Sequence, residues 1–239
     1  MTKLSVNINK VATLRNARGG AKPDLIRFAK DCEAFGAQGI TIHPRPDERH
    51  IRYADARALK SVVATELNIE GYPNPKFMDL ILELKPDQVT FVPDSPDVLT
   101  SNAGWDCKTH HKFLKELIDR CHQNNIRTSL FLDPNPEQVP WAAKTGTKRI
   151  ELYTEAYAQH YHLNKENALQ NYKSTAEKAS DFGLELNAGH DLDLDNLAYF
   201  AQNISNLKEV SIGHALISDA LYFGIQNTIG MYINQLNLD

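Results

Sequence analysis

The chain has 239 residues, a formal net charge of −4 and 23% charged residues. This acidic balance excludes non-specific nucleic-acid binding as the main role and leaves any anionic ligand to local positive groups. Three cysteines without CxxC spacing exclude a disulfide framework or zinc ribbon, and the pattern near Met1 shows no signal peptide or long apolar run, so the expectation is a cytoplasmic protein with no membrane contact.

Leu4 to Asn9 alternates apolar and polar residues and reads as a first strand. A cationic loop with Lys10, Arg15, Asn16, Arg18 and Gly19-Gly20 follows. Pro23 and Asp24 open a helix to about Phe35, and Gly36 stops it. Strand two, Gly39 to His43, runs into Pro44 and Pro46, which forbid its continuation. Beyond it Arg45, Asp47, Glu48, Arg49, His50 and Arg52 crowd one loop. Tyr53 to Val63 is helical, Glu66 to Glu70 is strand three, Phe77 to Leu84 is helical, and Gln88 to Val92 is strand four. A long polar loop from Pro93 to Cys107 precedes a helix from Thr109 to Asn124, strand five at Arg127 to Leu132, a helix from Glu137 to Lys144, and strand six at Arg149 to Tyr153. A His/Tyr-rich insertion, Thr154 to Leu163, leads to a helix from Lys165 to Phe182. Strand seven (Leu184 to Ala188), a helix (Leu194 to Asn203), strand eight (Glu209 to Ile212) and a closing segment from Ile217 to Leu236 complete the chain. Strict strand–helix alternation over this length predicts an α/β fold, a (β/α)8 TIM barrel spanning residues 1–239 as one domain. The alternative, a doubly wound open sheet, lacks a GxGxxG after its first strand.

In a barrel the site lies at the carboxyl ends of the strands. Those ends carry Asn7 and Asn9, His43 and Arg45, Glu70, Glu151, Asn187 with His190, and Gly213-His214, while Thr100 lies in the loop after strand four. One such residue would read as structural, but five His and Glu from different strands point to catalysis. The pairs Gly189-His190 and Gly213-His214 follow strands seven and eight, where barrels bind phosphate on backbone N–H groups. A metal held by His43, Glu70, His190 and His214 is the competing reading. It lacks any His-x-His or HExxH spacing, and the neighbouring arginines compete with a cation. His110, His111 and His122 read as surface residues, and His160 and His162 as candidates for a lid or subunit contact.

The segments VNINKVATLRNARGG, GITIHPRPDERHI, NIEG, TSNAGWD, IELY, LNAGHDL and IGHALI, in this order, together resemble the pyridoxine 5′-phosphate synthase family. The resemblance implies a (β/α)8 barrel with extra helices, assembled as a homo-octamer. It also implies a condensation of 1-deoxy-D-xylulose 5-phosphate with 3-amino-2-oxopropyl phosphate that needs neither metal nor organic cofactor. By position, His43 and Glu70 match the family's proton acceptors, His190 its proton donor, and Glu151 a carboxylate that stabilises cationic transition states. Asn7, Arg18, Asp191, Gly213 and His214 match the amino-ketone phosphate site, and Arg45, His50 and Thr100 the deoxyxylulose phosphate site. Two departures from the family pattern stand out. Asn9-Lys10, counted with the substrate-binding residues, stands where Asp-His is common, and Asp191 stands where glycine is common. Other classes remain: a metal-assisted aldolase or hydrolase on a sugar phosphate, and a silent sugar-phosphate binding protein.

Overall fold

Alternation along the strands decides which side chains fill the barrel and which meet the helices around it. The computed structural model describes residues 1–93 and 103–238. The parallel strands β1 (Lys3–Asn7), β2 (Gly39–Ile42), β3 (Glu66–Gly71), β4 (Gln88–Phe91), β5 (Arg127–Leu132), β6 (Arg149–Tyr153), β7 (Glu185–Gly189) and β8 (Leu207–Ile212) pair in chain order. β1 also pairs with β8, through Lys3↔Glu209 and Ser5↔Ser211, and closes the barrel. Leu4, Val6, Ile40, Ile42, Leu67 and Ile69 are fully buried in the apolar core, on the faces that a period of two turns away from the polar set.

The lumen is polar. Hydrogen bonds that skip a strand run across it: Thr90 on β4 donates to Glu151 on β6 at 3.3 Å, and Arg149 on β6 donates to Gln88 on β4 at 3.3 Å. Between neighbouring strands the Ser5 and Thr41 hydroxyls meet at 2.7 Å, and Thr90 donates to Asn68 at 3.1 Å. Towards the amino end, Glu66 pairs with Lys3 and Arg127, while Arg149 pairs with Glu185 at 2.8 Å and lies 3.7 Å from Glu209. Paired charges therefore occupy the amino end of the lumen, and the opposite end opens into a cavity.

The helical layer is α1 (Asn9–Asn16), α2 (Leu25–Ala34), α3 (Tyr53–Lys60), α4 (Pro75–Leu84), α5 (His111–Gln123), α6 (Val139–Lys144), α7 (Glu155–Tyr161), α8 (Lys165–Asp181), α9 (Leu197–Asn203), α10 (His214–Phe223) and α11 (Ile225–Leu236). Local chemistry starts several of them. Asp24 caps α2 by accepting the Ile26 and Arg27 N–H groups, and Asn74 caps α4 at Phe77 with Pro75 in the first turn.

Three expectations need correction. Lys10 to Asn16 is not a loop: it lies in α1, because Val11, Ala12 and Arg15 recur on one buried face at helical spacing. The Thr154 to Leu163 insertion folds as α7, whose Tyr157 is fully buried and donates to the Asn196 carbonyl at 2.8 Å. The closing segment begins at His214 rather than Ile217, and it divides at Gly224, whose φ of 74° suits glycine. Most of the expected Pro93 to Cys107 loop lies outside the described residues.

Candidate active site

At the carboxyl ends of the strands a cavity of about 360 Å³ gathers residues from all eight βα units. Asn7, Asn9 and Lys10 come from the first, His43, Arg45 and His50 from the second, and Glu70 from the third. Glu151 enters from β6, His190 and Asp191 follow β7, and Ser211, Gly213 and His214 come from the end of β8. Val92 and Phe131 supply an apolar wall.

The first two loops are tied by a relay of amides. Asn7 Oδ1 accepts the Asn9 N–H at 3.1 Å, and Asn9 Oδ1 accepts the His43 N–H at 2.9 Å. α1 also anchors the His50 loop. Arg15, only 6% exposed, grips Asp55 through both guanidinium nitrogens at 2.7 and 2.8 Å and reaches the His50 carbonyl at 3.2 Å. Asn16 donates to the same carbonyl at 2.8 Å. Arg15 and Asn16 are thus structural tethers; the spacing of Val11, Ala12 and Arg15 signals the helix that carries them, not the partners they meet.

Electrostatics separates the roles of the ionisable groups. His43 is 7% exposed, and burial with the nearby Arg45, His50 and Arg49 holds its ring well below the usual histidine range. His50, edge-on to it at 6.2 Å between ring centroids, is lowered to about 4, first by burial and then by Arg45 and Arg49. Its Nδ1 accepts the Ile51 N–H at 2.9 Å, so the neutral ring carries its proton on Nε2 and is a hydrogen-bond donor. Glu151 moves the other way. Burial, followed by the negative charge of Glu209, raises its carboxyl well above the ordinary range. Glu151 also sits tight against the backbone: a Cβ at Gly189 would stand 2.9 Å from its Oε1 and 2.8 Å from the Ser211 carbonyl.

His190 has a φ of 96°, in the left-handed region that a side chain disfavours. Thr154, fully buried, staples both sides of it: its hydroxyl donates to the Gly189 carbonyl at 2.7 Å and accepts the Asp191 N–H at 3.2 Å. The Tyr153 ring meets the imidazole edge-on at 5.2 Å. Gly213 caps α10, and a Cβ there would lie 3.1 Å from both Cβ and the carbonyl of Asn7.

The structure brings together His43, Glu70, Glu151, His190, Asn7, Asn9, Lys10, Arg45, His50, Asp191, Gly213 and His214 around this one cavity. Arg18 does not join them; it is exposed at the turn after α1. Thr100 lies outside the described residues. Val92, Phe131 and Ser211 join the lining without having carried any motif. His111 and His122 are half-buried rather than surface residues, and His122 Nε2 lies 3.1 Å from the Thr128 hydroxyl. All three cysteines are buried free thiols pushed up to about 12 by burial. Among the described residues no three His, Cys, Asp or Glu side chains converge as metal ligands do.

Comparison with known proteins supplies the lineage. The family model for pyridoxal phosphate biosynthesis protein PdxJ matches residues 4–238. A pyridoxine 5′-phosphate synthase from Flavobacterium johnsoniae is 61% identical over 236 residues, 99% of this chain and 100% of its own. One of the same name from Porphyromonas gingivalis is 59% identical over 238 residues, covering 100% of both chains. Solved barrels align at low identity: phosphoribosylanthranilate isomerase from Thermotoga maritima has a TM-score of 0.62 at 14% identity over 99% of this chain and 98% of that one. Tryptophan synthase from M. tuberculosis gives a TM-score of 0.67 at 13% identity over 100% of this chain and 93% of that one. Those two likenesses speak for the fold alone. With a family model spanning nearly its whole length and relatives at about three identical residues in five, the chain belongs to the PdxJ family of pyridoxal phosphate biosynthesis proteins.

Proposed function

We propose that this cavity condenses 1-deoxy-D-xylulose 5-phosphate with 3-amino-2-oxopropyl phosphate to form pyridoxine 5′-phosphate, phosphate and water, as a pyridoxine 5′-phosphate synthase. The observation that carries the reading is the convergence of His43, Glu70 and His190 from three separate βα units on one cavity with cationic and backbone N–H groups at its rim. Ring closure moves several protons in turn, which calls for more than one acid/base group. His43 is held neutral by burial and by Arg45, so its free ring nitrogen can take a proton at neutral pH. Glu70 is the second acceptor, and His190 returns a proton to a leaving oxygen. Glu151, once ionised, stands beside a developing iminium charge with the Thr90 hydroxyl to orient it.

Arg45 and the Nε2–H of His50 receive the deoxyxylulose phosphate; a guanidinium fork binds such oxygens bidentately. Asn7, Gly213 and His214 receive the other phosphate at the start of α10, where unpaired N–H groups and the helix dipole favour an anion. Holding both substrates in register supplies much of the rate.

The decisive assay supplies both substrates to chelator-treated protein and scores pyridoxine 5′-phosphate and released phosphate together. Equal yields support the synthase, whereas activity that vanishes on chelation and returns with added metal supports a metal-assisted aldolase instead. His43→Ala and Glu70→Ala should each lower kcat by roughly 10²–10⁴-fold. A homo-oligomeric, cytoplasmic form accompanies this reading. Exposed Leu221, Tyr222 and Phe223 at the end of α10 support association, and light scattering tests it. No helix among the described residues is long and apolar enough to cross a membrane.

A further inference from the structure

Asp191 lies beside a phosphate site in the synthase reading, where a carboxylate facing the ligand would repel it. Its side chain is turned elsewhere: Oδ2 meets His190 Nδ1 at 2.5 Å. The turn is built by the surrounding chain. Thr154 holds the Asp191 N–H, and Asn196, 3% exposed, donates its side-chain amide to the Asp191 carbonyl at 3.2 Å. Asn196 is fixed in turn, because its Oδ1 accepts the Asp193 N–H at 3.1 Å and its own N–H bonds Asp193 Oδ1 at 3.0 Å. The Tyr153 ring meets the imidazole edge-on, while the Tyr153 hydroxyl donates to Glu155 at 2.6 Å.

We propose that Asp191 is a positioning residue that sets the tautomer and orientation of His190. This rests on the synthase reading of the cavity. The carboxylate is an acceptor only, so the nitrogen it meets must carry the proton. Nδ1–H therefore points to Asp191, and Nε2 is the nitrogen left to exchange a proton with substrate. When Nε2 takes a proton from the substrate, the ring becomes an imidazolium whose charge faces Asp191. The same proton then leaves Nε2 for the departing oxygen, so the cycle closes without any further reactant. The φ of 96° at His190 fits this purpose: it folds the backbone back so that neighbouring side chains can meet.

The test pairs turnover with ¹⁵N spectra of the His190 ring in the wild type, Asp191→Asn and Asp191→Ala. Asparagine keeps an acceptor oxygen, so Nδ1 should remain protonated in the wild type and in Asp191→Asn. In Asp191→Ala the two neutral tautomers should mix. Asp191→Ala should also lower kcat by about 10-fold or more while KM for each substrate stays within about 3-fold, and Asp191→Asn should restore part of the loss. An unchanged tautomer in Asp191→Ala, an unchanged kcat, or a fall in KM that marks relieved repulsion would each overturn the proposal. If wild-type protein turns over neither substrate, the synthase reading falls, and the spectra alone decide the Asp191 contact.

Discussion

The side-chain oxygen of Asn9 accepts the backbone N–H of His43 at 2.9 Å, so the start of α1 holds the histidine that follows β2. An aspartate would offer the same acceptor; the amide performs the tether without a charge. Asn9→Asp should therefore keep most of the activity. Asn9→Ala frees the His43 backbone and should lower kcat/KM about 10- to 100-fold, since small misplacements of a reacting group are costly. Equal losses in both variants would mean that the amide N–H, not the oxygen, is what matters.

Acid should unfold the protein through its two neutral histidines. The unfolded chain binds these protons from about pH 6.5 downward, whereas folded His50 resists until about 4 and His43 is likewise held well below the usual histidine range. Because the native pKa values are depressed, their stabilising contribution is complete above 6.5 and drains away as pH falls towards 4. Melting temperatures between these limits should fall less steeply in His50→Gln than in the wild type. Parallel slopes would contradict the burial of the neutral ring.

Arg15 joins α1 to Asp55 of α3 and to the His50 carbonyl. Removing one partner of a buried pair strands the other, so Arg15→Met should cost about 3 kcal/mol in urea unfolding. If His50 receives the deoxyxylulose phosphate, the effect on activity should appear mainly in KM for that substrate, because the His50 carbonyl is held by this clamp.

Gly189 has no room for a methyl group. In Gly189→Ala the new Cβ would press on the Ser211 carbonyl and on Glu151 Oε1, costing about 1–3 kcal/mol as overpacking does. The carboxylate must swing aside, so kcat should fall while binding of either phosphate, measured by calorimetry, stays close to wild type.

Glu209 is the second cause, after burial, of the raised Glu151 carboxyl. If ionised Glu151 is the active form, kcat/KM rises with pH as it loses its proton. Glu209→Gln removes a negative neighbour and should move that acid limb to lower pH. A limb that stays in place would show that burial acts alone.

The barrel was legible because β-branched alternation, Pro and Gly punctuation and strand–helix order are local properties of the chain. So was most of the cavity lining: His43, Glu70, Glu151, His190 and Gly213 stand at strand ends, and closure of the barrel is enough to bring such positions together. Arg15 shows where local reading stops. Its charge suggested a mobile cationic loop, yet its partner Asp55 lies 40 positions away, and only folding reveals that the charge is spent on a tether. Val92, Phe131 and Ser211 carried no chemistry of their own, and only packing made them walls of the cavity. The direction of Asp191 and the pressure of Glu209 on Glu151 were likewise invisible, because both depend on distances across loops and strands rather than on spacing. Sequence by itself determined the strands, their order and which face of each is polar. Tertiary structure decided the hydrogen-bond partner and solvation of each polar group, because burial and Coulomb interactions depend on neighbours that folding alone supplies.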